Sequence, residues 1–216
     1  MIMTLITESY LEQNKRWPQS GRHILAQYDA DTVVVYQAYR QDIGHFAAQH
    51  GYFGGDFQLG RMSWIKPNFL WMMFRCGWAS KENQEVVLAV TLKRTAFDEI
   101  LEQAVHSSFK PHIYGSEDEW KAALSGSQVR LQWDPDHDPA GNKLERRAIQ
   151  LGLRGEVLQK YAHKWIVSID DVTDFVREQF QHVSTRRYAE LVTPRETVYK
   201  VASDEVAARL EVSRLV

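Results

Sequence analysis

Arg61, Lys66, Arg75 and Lys81 fall within residues 57–81 (FQLGRMSWIKPNFLWMMFRCGWASK), a stretch that holds no Asp or Glu. Phe57, Trp64, Phe69, Trp71, Phe74 and Trp78 are interleaved with them, so three of the chain's seven tryptophans share it. Cations spaced among flat rings, with no acid to neutralise them, suit an anionic ligand that also has a ring to stack. A nucleotide, a dinucleotide or RNA meets that description. Arg61, Ser63, Trp64, Lys66 and Trp71 form the centre of this candidate site. Pro67 fits the first turn of a helix over 67–77, with Gly77 ending it. Arg61 and Lys66 would add to the partial positive charge at that helix entrance, where a phosphate sits well. Asn68 and the free amides after Pro67 are further donors. Arg75, one turn after Trp71, suits either a cation–π contact with that ring or a pairing with a buried carboxylate. The same residues also fit a buried helix, apolar nearly all round, with Leu70, Met73 and Phe74 in the core and a few snorkelling cations. The sequence leaves both readings open.

A second group lies upstream. Arg22, Gln27 and Tyr28 on one β-rich run, and Gln37 and Tyr39 on the next, are polar residues in otherwise apolar segments. Gln37 and Tyr39 share one face of their strand and suit hydrogen bonding to an amide or ribose. Polarity satisfied within the sheet is the plainer alternative. Asp134, Asp136, Asp138 and Glu145 match four ligand positions of a calcium-binding loop, but Pro139 stands where that loop needs a glycine. A solvated acidic turn is the expectation there, and no metal site is assigned. Cys76 reads as a buried thiol rather than a nucleophile. No phosphate-loop, nucleophile-elbow, kinase or dinucleotide glycine signature is present, and the eight histidines show no zinc spacing.

Positioning these groups requires a mixed architecture. Residues 1–20 read as an N-terminal arm with a helix over about 7–15, and residues 21–216 as a single domain. Strands are expected over 22–29, 32–39, 85–92, 128–133, 146–151, 164–169 and 196–201. Helices are expected over 42–50, 67–77, 95–106, 117–124, 155–162, 171–182 and 203–210. Residues 134–143 read as a loop. The fold class is therefore α+β, with a mixed or antiparallel sheet and packed helices.

Composition narrows the function. Apolar residues are 44% of the 216 and the net charge is −2. Residues 1–110 carry 11 basic and 11 acidic groups, and residues 111–216 carry 15 and 17. Neither half is a polycation, which argues against a non-specific DNA coat protein. A single cysteine and the lack of long apolar runs lead to the expectation of a cytoplasmic protein without a membrane partner.

RHILAQYD, VVVYQAY, RMSWIKPNFLWMMFRCGW, VRLQWDPDHD and RAIQLGL together resemble a bacterial and fungal family known as a domain of unknown function (number 4291). The resemblance spans roughly residues 20–185. The order of VVVYQAYRQDIGHFAAQHGYF and GRMSWIKPNFLWMM also resembles ADP-ribosyltransferase-like domains. Gln37 stands where those enzymes have His or Arg, Ser63 fits the second motif loosely, and Gln150 or Glu145 is the counterpart of a third-motif Glu. This resemblance implies NAD as cofactor, with Gln37 and Ser63 on the nicotinamide ribose or amide and Arg61 and Lys66 on the pyrophosphate. Trp64 or Trp71 would stack a ring, and Gln150 or Glu145 would meet the 2′-hydroxyl. Arg22, Tyr39, Asn68 and Arg75 complete the expected ligand contacts. Two alternatives stand beside it: a non-catalytic RNA-binding module on the same patch, and a protein-interaction domain with a purely structural tryptophan cluster.

Overall fold

A computed structural model describes residues 5–214; the first four residues of the expected arm and the last two of the expected domain lie outside it. In chain order the elements begin with β1 (Thr7–Ser9), α1 (Tyr10–Arg16), β2 (Leu25–Ala26), β3 (Thr32–Tyr39), α2 (Gln41–His50), β4 (Ser63–Ile65) and α3 (Phe69–Cys76). They continue with β5 (Val86–Lys93), α4 (Arg94–Gln103), β6 (Ala104–His106), α5 (Pro111–Tyr114), α6 (Glu117–Gly126), β7 (Val129–His137) and β8 (Lys143–Leu153). The remainder is α7 (Gly155–Lys160), a π-helical turn (Tyr161–Trp165), β9 (Ile166–Asp171), α8 (Thr173–Ser184), β10 (Val192–Pro194), β11 (Thr197–Val198) and α9 (Asp204–Arg209). The fold is α+β.

The valine-rich runs explain the centre. β3, β5 and β9 form one antiparallel sheet in the order β3–β5–β9. Successive side chains of a strand face opposite sides, and here both sides are apolar. Val33 and Val35 join one core cluster with Leu88 and Val90, while Val34 and Tyr36 join another with Val87 and Ala89. That is why VVVY and VVLAV read as unbroken apolar runs rather than alternating ones. The first cluster is completed by Ile65, Leu131, Ile149 and Leu151 from a second sheet of order β4–β8–β7–β6. The second is completed by α3 and α8 through Phe69, Leu70, Met73 and Val176. The two sheets meet where Tyr36 and Lys66 exchange backbone hydrogen bonds, at 2.7 and 3.3 Å.

Several sequence expectations need correction: Thr7–Ser9 and Ala104–His106 are strands rather than helix ends. The helix expected over 67–77 starts at Phe69, with Asn68 as its N-cap, so Pro67 precedes the cap rather than sitting in the first turn. Gly77 does end it, in the left-handed region at φ 58°. Leu70 and Met73 are buried, but Phe74 is 39% exposed and stacks on His137 with ring centroids 3.5 Å apart. Phe74→Ala should therefore cost about 1–2 kcal/mol rather than the 3–5 of a fully buried ring; a denaturant melt measures it. The loop expected over 134–143 is half strand. β7 runs on to His137 against β8, leaving 138–142 as the turn, because Asp136 points inward to a buried partner. The arm is packed in place: β1 pairs antiparallel with β10, and Tyr10, Gln13 and Trp17 are buried.

Candidate functional site

The junction of the two sheets leaves a cleft of about 420 Å³, lined by Gln37, Tyr39, Ser63, Trp64, Lys66, Arg75, Gln84, Gln132 and Gln150, with Ala38, Met62 and Met72. No carboxylate is in this lining. β3 supplies Gln37 and Tyr39, β4 supplies Ser63 and Trp64, α3 supplies Arg75, and the facing strands β7 and β8 supply Gln132 and Gln150.

One wall is a closed hydrogen-bond network. The Gln37 carboxamide nitrogen donates to Tyr39 Oη at 2.7 Å, Ser63 Oγ at 2.8 Å and the Trp64 carbonyl at 3.2 Å. Its oxygen accepts from Tyr161 Oη at 2.5 Å. Tyr39 and Ser63 hydroxyls lie 2.7 Å apart. Burial pushes the Tyr39 and Tyr161 phenols well above the ordinary tyrosine range, so both stay neutral. Gln37 thus spends its hydrogen-bonding capacity on the fold, and Ser63 is held by it.

The other wall presents unused groups. Gln132 and Gln150 are directly paired across β7 and β8. Gln150 Nε2 donates to Asp134 Oδ2 and to Gln132 Oε1, each at 2.7 Å. A carboxylate can only accept, so Asp134 fixes which end of Gln150 is nitrogen, and this in turn fixes Gln132. What remains facing the cleft is the Gln132 amide as donor and the Gln150 oxygen as acceptor. A donor beside an acceptor matches a carboxamide or the edge of an adenine.

Lys66 is the centre of the electrostatics. It is 5% exposed, and among the described residues its ammonium makes no hydrogen bond or ion pair. Burial, reinforced by the Arg75 guanidinium and opposed by Asp134, brings its pKa down to about 8. A lysine without a carboxylate partner inside a cleft is an unmet positive charge.

The helix entrance is arranged differently from the sequence expectation. The amide of Phe69 donates to Glu196 Oε1 at 2.6 Å, and that of Trp71 donates to Asn68 Oδ1 at 2.6 Å. Glu196 is buried, which raises its carboxyl pKa well above the usual range. The chain's own carboxyl thus occupies the place where a phosphate was expected, and Asn68 is a cap. Trp71 is buried against Phe74 and His137. Arg61 is exposed in the turn before β4 and is not part of the lining. Arg22 lines a different cavity. Glu145 lies five residues before Gln150 on β8, so the two face opposite sides of the strand, and Glu145 is exposed. The cleft therefore unites Gln37, Tyr39, Ser63, Trp64, Lys66, Arg75 and Gln150, and leaves out Arg22, Arg61, Asn68, Trp71 and Glu145. Cys76 is buried with its thiol pKa raised by burial.

Gln84 and Gln132 were not among the expected site residues. Gln132 was within reach: the alternation of VRLQWD places Gln132 and Asp134 on one face. Gln84 sits in a loop without a pattern. The acids of the calcium-like run go to separate partners: Asp134 to Gln150, Asp136 to Arg146, and Asp138 to Asn142.

A family model, described as Domain of unknown function (DUF4291), matches residues 23–199. The chain belongs to that family. Every residue named in the cleft lining falls inside the matched span. No curated protein matches the chain. No helix among the described residues is long and apolar enough to cross a membrane.

Proposed function

We propose that the cleft binds a nucleotide-type anion, with its phosphates against Lys66 and Arg75 and its base or carboxamide against Gln132 and Gln150. The observation that carries this reading is Lys66: a buried ammonium without a carboxylate partner among the described residues. Such a group costs stability unless a ligand supplies the anion. The half-exposed Trp64 ring in the lining adds a surface on which a base can stack.

Of the nucleotides, NAD uses most of these features, since it has two phosphates for the cations and a carboxamide for the glutamine pair. An enzyme of the ADP-ribosyltransferase type would break the bond between nicotinamide and ribose, release nicotinamide and pass the ADP-ribosyl group to an acceptor. In that reading Gln37 and Ser63 shape the wall beside the ribose, and Asp134 positions Gln150. A single buried cysteine suits a reducing, cytoplasmic setting.

The test is titration of NAD, ATP and a short single-stranded RNA, followed by tryptophan fluorescence and melting temperature. NAD is expected to quench fluorescence and raise the melting point, and Arg75→Ala to weaken binding about tenfold or more. RNA binding without NAD binding would favour a binding module over an enzyme. No response to any of the three at saturating concentration would overturn the reading.

A further inference from the structure

A second cavity, of about 280 Å³, lies at the end of β6 and is lined by Arg22, His106, Ser107, Lys110, Asp134 and Arg147, among others. Three features of it point to a ligand. Arg147 and Lys110 make no side-chain hydrogen bond among the described residues, and Arg147 makes no ion pair there either. Ser107 Oγ and His106 Nε2 are buried without a hydrogen-bond partner. His106 is 2% exposed, so its idle nitrogen is an unusual cost inside a protein.

The state of His106 follows from its neighbours. The Tyr114 hydroxyl accepts from the His106 backbone N–H at 3.0 Å and lies 3.1 Å from His106 Nδ1. With the hydroxyl hydrogen on Nδ1, the imidazole hydrogen lies on Nε2, the tautomer that suits the Glu211 carboxylate facing that nitrogen. Burial, partly offset by Glu211, lowers the pKa of His106 to about 4, so at neutral pH it is an uncharged donor. Nε2 faces Glu211 Oε2 at 3.5 Å without forming a hydrogen bond, and that oxygen also lacks a partner.

Glu211 is the chain's own anion here. Its carboxylate lies 3.5 Å from Arg22 Nη1, 3.6 Å from Lys110 Nζ and 3.1 Å from His112 Nε2. It is carried on a residue with φ 58°, a backbone conformation that side chains other than glycine adopt at a cost. The contacts to Arg22 and Lys110 are long, and only His112 is at hydrogen-bond distance. With Asp134 engaged by Gln150, the three cations Arg22, Lys110 and Arg147 outnumber Asp134 and Glu211 by one.

We propose that this cavity, which adjoins the Lys66 cleft and shares Gln132 with it, is a second anion-binding site that takes a phosphoryl group on Arg22, Lys110, Arg147, Ser107 and His106 Nε2, with Glu211 as an internal competitor. A phosphoryl group offers several acceptor oxygens where Glu211 offers two, and it meets the idle serine and histidine donors as well as the cations. The phosphoryl group can be free or part of a nucleic-acid backbone.

Calorimetric titration with inorganic pyrophosphate and with a short single-stranded oligoribonucleotide tests this. Arg147→Met is expected to weaken binding about tenfold and Glu211→Gln to strengthen it about tenfold, while Lys66→Met leaves this binding in place. Binding of the oligonucleotide alone would assign the phosphoryl group to nucleic acid. Should Glu211→Gln fold poorly, Arg147→Met decides, because Arg147 is exposed and its side chain supports no contact that folding needs. Absence of binding by either probe overturns the proposal. So does binding that ignores Arg147→Met but is lost with Lys66→Met, a result that would leave the cleft reading intact.

Discussion

Replacing Asp136 by alanine is expected to lower stability by about 3–5 kcal/mol, the usual cost of leaving one partner of a buried ion pair alone. Asp136 and Arg146 are 1% and 2% exposed; Asp136 Oδ2 accepts from Arg146 Nε at 2.7 Å and forms an ion pair with Nη2 at 2.7 Å. The guanidinium also donates to the Pro18 carbonyl at 2.7 Å and lies 5.4 Å from the centre of the Trp17 ring. Removing the carboxylate leaves a charge that cannot reach water. For a chain of this length the melting temperature should fall by roughly 10–15 °C. The double variant Asp136→Leu with Arg146→Met should recover most of the loss, since an apolar pair of similar volume replaces the ions at little net cost. If Asp136→Ala melts within a degree or two of the wild type, the pair is not buried as described.

Lys66→Met should have the opposite sign. The folded-state pKa of Lys66 is about 8, against about 10.4 in an unfolded chain. Between those values the unfolded state binds more protons, so stability attributable to this residue rises with pH across the window. Below pH 8 the full cost of the buried charge is present, on the order of 3 kcal/mol. Methionine at this position should therefore stabilise the protein near neutral pH, with an advantage that fades as pH approaches 10.5. Binding of a nucleotide should be lost in the same variant. A residue kept only for packing would show no such pairing of gained stability and lost binding. A destabilised Lys66→Met whose ligand response is unchanged would refute the role given to Lys66.

How far these features were legible depends on the range of the interaction behind each. β3 and β5 are written in local side-chain chemistry, as runs of β-branched residues, and the sequence places them to within a residue. Gly51 and Gly77 mark the ends of α2 and α3 because the left-handed backbone there suits glycine. Lys66 and Arg75 stood out through the acid-free stretch. Arg61 stood out for the same reason, yet composition cannot tell a turn residue in water from one in a cleft. The Gln132–Gln150 pair depends on strand register, which is fixed only when β7 meets β8. Phe74 reads as core by type, and its partial exposure depends on His137, far along the chain.

Glu196 is the least local of all, and its position has a consequence for the order in which the protein comes into being. It closes the first turn of α3 from 127 residues downstream of Phe69. Its backbone is held by the N-terminal segment, which was made first: its N–H donates to Gln13 Oε1 at 2.8 Å and its carbonyl accepts from Trp17 Nε1 at 2.9 Å. At typical elongation rates roughly 6–25 s separate the synthesis of Phe69 from that of Glu196. During that interval the Phe69 amide lacks its carboxylate acceptor, while the Trp71 amide already has Asn68 beside it. The first turn of α3 therefore completes its hydrogen bonding only after a residue 127 positions downstream has been made.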